Sequence, residues 1–413
     1  MERIVLHVDC NKFYASVECL HRPEIRNLPV IVGGDESLRH GIVLTKNEIA
    51  ARYSIKTGEA IWQARQKCPN LVVVPPNYPL YMRFSNLARE IYCDYTDLVE
   101  PYGLDECWLD VTGSGIFGSG REIAELIRRR VKKELGITVS IGVSYNKVFA
   151  KLGSDYKKPD AVTVIGKDNF KDLLWPLPVR EMFFVGRATE KKLNSCGIRT
   201  IGDMANCSRE YMKLILGKHG EMLHAFTNGY DNDPVKHMDD MRIIKSIGNS
   251  STAPRDLKTE NDVKVLMYVL AESVGRRMRE QGFRCKTVGI SLRDNELCSF
   301  VRQMKLPAYT ASTGEIGAVA MTLFKENYNL KRQKPLRSLG LACSDFEHEA
   351  GAVQLDLFGD AQKRLKAERL DAAVDGLQAR FGSESVRRGV LLTDRALSGF
   401  EPGGSFTPFK RSF

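Results

Sequence analysis

Two stretches of the sequence, VLHVDCNKFYASVE at residues 5–18 and YGLDECWLDVT at residues 102–112, decide the fold. Each places carboxylates at the edge of an apolar run that favours a β-strand, with Asp9 after the first run and Asp105 and Glu106 before the second. A carboxylate that is buried without a partner is costly to desolvate, so acids embedded in two strands indicate a positively charged partner. A shared pair of divalent metal ions is such a partner.

Phosphoryl transfer from a nucleoside triphosphate uses two divalent ions about 3.5–4 Å apart, and such hard cations prefer oxygen ligands. Asp9, Asp105 and Glu106 are therefore the candidate ligands. Adjacent residues of a regular strand point to opposite faces, so Asp105 and Glu106 can share a site only at a strand end or an irregular turn. Gly103 permits such a turn. Taken without their surroundings, these acids are as compatible with an exposed surface as with a metal site.

The charge of the chain is unevenly distributed. The 413 residues carry 61 Lys and Arg against 51 Asp and Glu, a net charge of +10 with a pI near 9.0, which favours a polyanionic partner. Residues 244–345 have 17 basic and 10 acidic side chains, whereas residues 1–165 have 22 and 20. The later region therefore carries most of the excess positive charge.

The length allows about two to four domains with ample cores. Ten Cys residues occur without CxxC spacing or a secretory signal, which indicates a reducing cytosol and no structural zinc site. No apolar run approaches the roughly 18 residues needed to span a membrane. We expect a monomer in the cytoplasm, associated with the nucleoid, without a membrane partner.

Periodicity predicts a mixed α+β fold in the first part of the chain. The predicted strands lie at 3–9, 107–111 and 137–143. One predicted helix begins at residue 11, and three others cover residues 45–53, 81–95 and 121–135. Gly136 is the predicted stop of the last helix. A βαββαβ order results, with residues 11–74 inserted after the first strand.

The second part of the chain changes in character. Residues 185–205 resemble a helix-hairpin-helix, whose exposed backbone N–H groups can hold a phosphate, although an ordinary helical turn is the alternative. Residues 228–240 are polar and predict a linker. From Ile244 the pattern predicts strand, helix, two strands, helix and strand, then a charged helix over 361–381 and a disordered tail. Alternation in 285–296 predicts one polar sheet face that can track a phosphate backbone.

Four motifs give the sequence a family resemblance. VDCNKFYASVE at 8–18, YGLDECWLDVT at 102–112, GVSYNKVFAKLGSDYKKP at 142–159 and KSIGNSSTAPRDL at 245–257 resemble, in order and spacing, those of Y-family translesion DNA polymerases, most closely the DNA polymerase IV branch. The resemblance implies a right-hand α+β multidomain polymerase. Its expected parts are a ferredoxin-like palm (1–10 and 75–165), small fingers (11–74), a helical thumb with the hairpin (166–234), a linker (235–243), a βαββαβ-type little finger (244–348), and a clamp-binding motif, helix and disordered tail (349–413).

The resemblance also implies the roles of the acidic residues. Asp9 and Asp105 would bridge two Mg²⁺ ions, and Glu106 would bind the catalytic ion and support activation of the primer 3′-hydroxyl. The backbone carbonyl of Cys10 would complete the shell.

The same resemblance implies a nucleotide-binding set. Tyr14, next to Phe13, would be a steric gate whose ring leaves no room for a 2′-hydroxyl, and the structural alternative is a core tyrosine at a helix start. Thr45 and Lys158 would contact the triphosphate.

Four positions depart from the family pattern. Asn11 stands where many members have a further acid, and Gly103 replaces the usual Ser. Glu48 and Ala51 occupy positions where many relatives place a Tyr and an Arg against the triphosphate. Arg52 is adjacent to Ala51 and is the candidate replacement. We therefore expect weaker or rearranged nucleotide binding.

Primer-template DNA is the expected macromolecular partner. The predicted DNA contacts are Gly186 of the hairpin and the basic residues Lys245, Arg293 and Arg302.

A short peptide after the predicted little finger indicates a second protein partner. QLDLF at 354–358 resembles the peptide that docks polymerases onto the sliding clamp, with Gln354 at a pocket rim and Leu355, Leu357 and Phe358 as the apolar residues. A helix lead-in is the alternative.

The sequence thus predicts template-directed, error-prone translesion DNA synthesis from dNTP onto a primer 3′-OH, with no stretch left over for a proofreading exonuclease. Two alternatives remain open at this point. A nucleotidyl cyclase also uses two-metal carboxylates on a palm, and a non-catalytic, clamp-tethered DNA-binding scaffold would fit the altered residues Glu48 and Ala51.

Overall fold

The structure is a computed structural model that describes residues 2–35, 41–238, 240, 244–348 and 361–399. Contacts between Cα atoms divide these residues into two compact units, one within residues 2–34 and 41–240 and the other from residue 244 onward. Within the described ranges, no helix is long and apolar enough to cross a membrane.

The secondary structure alternates between short strands and helices along both units. The strands are β1 (Val5–Cys10), β2 (Val30–Gly33), β3 (Val43–Lys46), β4 (Val72–Val74), β5 (Val99–Tyr102), β6 (Glu106–Asp110), β7 (Val139–Ser144), β8 (Val162–Ile165), β9 (Ser246–Leu257), β10 (Phe283–Asp294), β11 (Ser299–Thr310) and β12 (Leu336–His348). The α-helices are α1 (Phe13–His21), α2 (Glu48–Ala51), α3 (Ile61–Lys67), α4 (Tyr78–Cys93), α5 (Gly120–Arg130), α6 (Lys147–Tyr156), α7 (Phe170–Leu174), α8 (Arg187–Ser195), α9 (Ile201–Asn206), α10 (Arg209–Leu216), α11 (Lys218–Thr227), α12 (Glu260–Glu280), α13 (Thr313–Asn327), α14 (Ala361–Phe381) and α15 (Arg395–Ser398).

The acidic residues of the first unit lie on a five-stranded sheet with the order β5-β6-β1-β7-β8. β1 is antiparallel to both β6 and β7, and β8 runs parallel to β7. Without β8, the strand order and the connecting helices α4 and α5 are those of the ferredoxin-like βαββαβ fold. The predicted fold class is therefore confirmed.

The two faces of β1 serve different purposes because successive side chains point to opposite sides of a strand. Leu6, Val8 and Cys10 pack into a core with residues of α4 and α5. Val5 and His7 face the other side, where Val5 packs with Ala150 of α6 and His7 contacts α6 through a hydrogen bond. All six residues of β1 are buried, as expected for a strand covered on both faces.

A three-stranded sheet with the order β3-β2-β4 follows β1 and α1 in the chain. The helix predicted over 45–53 is wrong in its first half, because Val43–Lys46 is a strand whose Thr45 pairs with Val32. The helix begins only after Asn47, whose side chain accepts a hydrogen bond from the N–H of Ala50. The β-prone run before Asn47 outweighs the helical spacing of the apolar residues.

Helices α7 to α11 form the remaining part of the first unit around their own apolar core. The helix-hairpin-helix predicted over 185–205 corresponds to α8 and α9, with Gly186 as the residue before the first turn of α8.

The polar segment after α11 is held against the five-stranded sheet. Val235 is buried with Val5 and Trp108, although the sequence places it in a linker. Asp231 accepts hydrogen bonds from the backbone N–H groups at the start of α6, and Asp233 forms an ion pair with Lys147. The first residues of the predicted linker are thus fixed to the five-stranded sheet and α6.

The second unit has a four-stranded antiparallel sheet with the order β11-β10-β12-β9, covered on one face by α12 and α13. Val288, Ile290 and Leu292 alternate into the core as the sequence predicts. The order strand, helix, two strands, helix, strand matches the expected little-finger pattern.

The C-terminal helix α14 has the bounds expected from the sequence and packs on α12 and α13. Glu368 and Asp371 of this helix accept hydrogen bonds from the backbone N–H groups of Ala311 and Thr313, at the start of α13. Residues 382–399, where a disordered tail was expected, include the 3-10 helix Gly389–Leu392 and α15. Buried Leu391 and Leu397 anchor this segment to the second unit's core.

Candidate active site

The acidic stretches meet at one end of the five-stranded sheet. Asp9 and Glu106 are directly opposite each other in the pairing of β1 with β6. β6 begins at Glu106, and the backbone N–H of Cys10 still donates to the carbonyl of Asp105 at 2.9 Å. Gly103 has a φ of +82°, the left-handed conformation that makes the turn before the strand. The strand end and irregular turn that the sequence requires of these acids are both present.

Two lysines contact the acids from α6 and the turn after it. Lys151 Nζ lies 2.9 Å from Glu106 Oε2, and Lys158 Nζ lies 2.7 Å from Asp9 Oδ2. Lys158 also contacts Asp155, at 2.7 Å. In this structure the positive partners of the carboxylates are therefore ammonium groups.

The acids differ in how strongly their surroundings favour the charged form. Burial raises the pKa of Asp9 to about 7, although Lys158 opposes the shift. Burial and the neighbouring Glu106 raise the pKa of Asp105 as well. Burial also opposes ionisation of Glu106, but its contacts with His7 and Lys151 outweigh burial and lower its pKa to about 2. Two of the three carboxylates thus require more positive charge than the protein gives them.

The donor set fits hard divalent cations, which bind carboxylate and carbonyl oxygens. The Cys10 side chain is buried in the core on the face opposite Asp9, which leaves only its carbonyl as a possible ligand. The Asn11 side chain is engaged by Ser140 and does not belong to the candidate ligands. Its Nδ2 lies 3.1 Å and its Oδ1 lies 2.8 Å from the hydroxyl oxygen of Ser140. Across the described residues, no group of three or more acidic, His or Cys side chains is already gathered closely enough to hold an ion.

Two glycines set the distance between α6 and the sheet. A Cβ on Gly142 of β7 would lie 1.8 Å from the carbonyl oxygen of Ala150, and a Cβ on Gly153 would lie 3.0 Å from the Cα of Gly142. The helix can rest directly on the strands only because both side chains are absent. This close contact brings Lys151 within reach of Glu106.

The predicted steric gate lies beside the acids at the start of α1. The Tyr14 ring stacks on Tyr81 of α4, with 4.3 Å between centroids and 10° between planes. Phe13 is buried next to it in the core, with ring centroids 5.7 Å apart. Burial and the proximity of Asp105 raise the pKa of Tyr14 to about 12. Tyr14 is therefore half-buried, with its ring stacked on Tyr81 near Asp105.

The other predicted nucleotide contacts lie on the three-stranded sheet and at the end of α2. Thr45 is half-buried on β3, and Arg52 is exposed at the end of α2. Glu48 forms an ion pair with Lys12, which has a left-handed φ of 47° just before α1. The sequence interpretation missed Lys12, because a single lysine in a loop gives no signal until its partner is known.

The predicted DNA contacts do not all share a surface. Arg302 lies opposite Ile290, whose side chain points into the core, and its Nε donates to Asn327 of α13 at 3.0 Å. Arg293 is exposed on the opposite, polar face, to which Lys305 also belongs because it pairs with Thr287. Lys245 is exposed just before β9. The structure therefore places Lys305, and not Arg302, on the polar sheet face.

The predicted clamp-binding residues Gln354, Leu355, Leu357 and Phe358 lie outside the described residues.

Sequence comparisons match this architecture to known families. Residues 8–155 match the impB/mucB/samB family, residues 244–357 its C-terminal domain, residues 184–231 the thumb domain of DNA polymerase-iota and residues 167–198 the IMS family HHH motif. A DNA polymerase IV from Acetivibrio thermocellus is 53% identical over 96% of this chain and 100% of its own length. The chain belongs to the Y-family of DNA polymerases.

Further relatives agree with this assignment. The DNA polymerase IV 1 of Bacillus subtilis is 37% identical over 94% of this chain and 93% of its own length. A solved Y-family DNA polymerase chimera of Dbh and Dpo4 superposes with a TM-score of 0.73 at 25% identity, covering 83% of this chain and 98% of the chimera. The predicted resemblance to the DNA polymerase IV branch of the Y-family is confirmed, and so is the predicted activity as a DNA-directed DNA polymerase. The nucleotidyl cyclase and the non-catalytic scaffold are therefore excluded as alternatives.

Proposed function

We propose that this polymerase performs error-prone translesion synthesis by two-metal nucleotidyl transfer from a dNTP to a primer 3′-OH, without proofreading. The observation that carries the proposal is the direct cross-strand pairing of Asp9 with Glu106, next to Asp105 at the strand end. Two Mg²⁺ ions bound there would activate the 3′-hydroxyl and hold the triphosphate.

The protein's own residues would divide the work as follows. Asp9 and Asp105 would bind both ions, Glu106 would bind the ion beside the primer, and the Cys10 carbonyl would add a ligand. Lys158, which forms an ion pair with Asp9, would contact the triphosphate.

The remaining predicted substrate contacts form a second group. Tyr14 would exclude a 2′-hydroxyl, Thr45 would donate a hydrogen bond to the triphosphate, and Arg52 remains the candidate for the missing arginine. On the DNA side, Gly186, Lys245 and Arg293 would contact the backbone, and Lys305 replaces Arg302 in this group.

Partners and location complete the proposal. The peptide at 354–358 would dock the enzyme onto a sliding clamp, and the enzyme would act as a monomer at the nucleoid. Binding to primer-template DNA should weaken with salt, because phosphate contacts dominate such complexes.

Primer extension on a labelled template tests the proposal. Wild-type protein with Mg²⁺ and dNTPs should extend the primer, and Asp105→Asn, which keeps the shape and removes the charge, should abolish extension without weakening DNA binding. Extension by Asp105→Asn at the wild-type rate would contradict the metal site. Excision of a mismatched primer terminus by the wild type would contradict the absence of proofreading.

A further inference from the structure

A buried histidine lies beneath the acidic centre. His7 is on β1, two residues before Asp9, and its side chain is 0% exposed. Its Nε2 atom has no hydrogen-bond partner among the described residues and lies 3.4 Å from Oε2 of Glu106. A buried polar atom without a partner is unfavourable and requires an explanation.

The other nitrogen of the ring is fixed by a serine. Nδ1 of His7 lies 2.8 Å from Oγ of Ser154, and the same hydroxyl lies 2.8 Å from the carbonyl oxygen of Lys151. A hydroxyl has one proton, and as it stands that proton is donated to the Lys151 carbonyl, which would leave the ring proton on Nδ1 and turn the lone pair of Nε2 toward Glu106. A lone pair 3.4 Å from a carboxylate oxygen is repelled, so the ring proton is better placed on Nε2, with Ser154 donating to Nδ1 instead.

Lys151 contacts the same carboxylate oxygen as His7. Its Nζ lies 2.9 Å from Glu106 Oε2, so both neighbours act on one oxygen from the protein side. Oε1 then remains available to a ligand. The ring of His7 cannot shift easily, because it packs edge-on against Trp108 with 5.1 Å between centroids.

We propose that His7 is a positioning residue, whose Nε2–H donates to Glu106 and fixes the orientation of that carboxylate toward the reacting primer end. Ser154 stabilises this tautomer by donating to Nδ1, and Lys151 holds the same oxygen from α6. The inference rests on the proposed role of Glu106 as a metal ligand. Outer hydrogen bonds commonly orient such ligands, and losing one typically costs roughly 10- to 100-fold in metal affinity or activity.

Single-turnover primer extension at saturating Mg²⁺ tests the positioning role of His7. It measures the maximal rate and the dNTP dissociation constant separately. His7→Leu removes the donor, whereas His7→Gln keeps an N–H near the position of Nε2. We expect His7→Leu to lower the maximal rate roughly 10- to 100-fold, with a change of less than about twofold in dNTP affinity. His7→Gln should recover most of the rate. Equal losses in both variants, or a wild-type rate in His7→Leu, would overturn the role.

Ser154→Ala keeps the inference testable if His7→Leu does not fold, because it removes only a hydroxyl. Its matched control is Ser144→Ala, a buried serine on β7 whose hydroxyl bonds the carbonyl of Ile165. The rate should fall in Ser154→Ala and not in Ser144→Ala, and equal rates in the two variants would overturn the tautomer assignment.

Glu106→Gln separates failure of this inference from failure of the proposed function. Extension by Glu106→Gln at the wild-type rate would refute the ligand role of Glu106 and, with it, the positioning role. An inactive Glu106→Gln together with a wild-type rate in His7→Leu would refute the positioning role alone.

Discussion

Lys12 and Glu48 face each other between the start of α1 and the start of α2, with 3.3 Å from Nζ to Oε1. The family resemblance predicts a triphosphate-binding residue at the position of Glu48, so the pair neutralises a cation where the nucleotide is expected. The pair is partly exposed, with 27% of the Lys12 side chain and 57% of the Glu48 side chain accessible, and such a pair is worth about 1 kcal/mol. A triphosphate can therefore displace Glu48 and recruit Lys12.

Removing the charge of Lys12 and removing the charge of Glu48 should change the affinity for dNTP in opposite directions. Lys12→Gln should raise the dNTP dissociation constant about fivefold, and Glu48→Gln, which frees Lys12, should lower it by a similar factor, each close to 1 kcal/mol. Single-turnover extension at varied dNTP concentration measures both. Lower affinity in both variants would refute the recruitment of Lys12.

Arg52 provides the competing explanation for the missing arginine. It is exposed at the end of α2, and its direction on the helix differs from that of Ala51 by about 100°. If it binds the triphosphate, Arg52→Ala should raise the dNTP dissociation constant about tenfold, near 1.4 kcal/mol. Lys56→Ala, an exposed lysine in the turn after α2, is the control. An unchanged dissociation constant in Arg52→Ala would remove this residue from the site.

The metal-ligand candidates are the part of the site that follows most directly from sequence. Asp9 and Glu106 lie in strand-forming runs whose pairing is dictated by burial on both faces, and Gly103 marks the irregular turn before Glu106. Local chemistry also predicts where the helical segment before β7 ends. Helix α5 continues as a π-helix over Val131–Leu135, and Gly136, directly after it, adopts a φ of +71°. These features depend on residues that are close together in the sequence, so they can be predicted from it.

The partners of the acids could not be predicted, because they depend on packing between distant segments. Lys151 reaches Glu106 only because Gly142 allows α6 to contact the sheet. Arg302 is a predicted DNA contact, and only the register of β11 against β10 shows that it lies on the core side of the sheet. A one-residue register choice inverts every side chain of a strand, and alternation within one strand cannot supply it.

Gly142→Ala should inactivate the enzyme without touching an acidic residue. The added methyl group would meet the Ala150 carbonyl at 1.8 Å, so α6 must move and carry Lys151 and Lys158 with it. Overpacking of this kind costs about 1–3 kcal/mol of folding stability. Extension rate and thermal unfolding measure the two effects, and Gly115→Ala, where a Cβ meets nothing within 4 Å, is the control. Wild-type rate in Gly142→Ala would show that the spacing of α6 is irrelevant to activity.

Tyr14→Ala should admit ribonucleotides. The stacking of Tyr14 on Tyr81 fixes the ring beside the site, so removing the ring opens space for a 2′-hydroxyl. Discrimination between dCTP and CTP, measured as the ratio of their incorporation efficiencies, should fall by more than about tenfold, or 1.4 kcal/mol. Tyr14→Phe, which keeps the ring, is the matched control. Unchanged discrimination in Tyr14→Ala would make Tyr14 a core residue only.

Asp262 should make the second unit sensitive to acid. Burial opposes its ionisation, but hydrogen bonds from Arg255 and from the N–H groups of Lys258 and Thr259 lower its pKa to about 2. A carboxyl whose pKa is lower in the folded than in the unfolded state stabilises the fold above about pH 4, and this contribution is lost as the pH falls toward 2.

Asp262→Asn tests this linkage by removing the charge at the start of α12. We expect faster hydrogen exchange in α12 peptides at pH 7, equivalent to a loss of about 2 kcal/mol, and a smaller difference from wild type at pH 3. Glu326→Gln, on the exposed side of α13, is the control. A difference that grows as the pH falls would have the wrong sign for a depressed pKa.

Leu357→Ala/Phe358→Ala should separate clamp-stimulated synthesis from synthesis by the polymerase alone. In the proposed docking, the two side chains would be the apolar anchors of the QLDLF peptide, and truncating buried anchors of short motifs typically costs about 2 kcal/mol or more of binding. Primer extension with and without loaded clamp should therefore show loss of stimulation and retention of basal extension. Leu370→Ala/Leu377→Ala is the matched control, because these α14 side chains are also apolar and are 63% and 43% exposed. Full stimulation of the peptide variant, or equal loss in the control, would refute docking through residues 354–358.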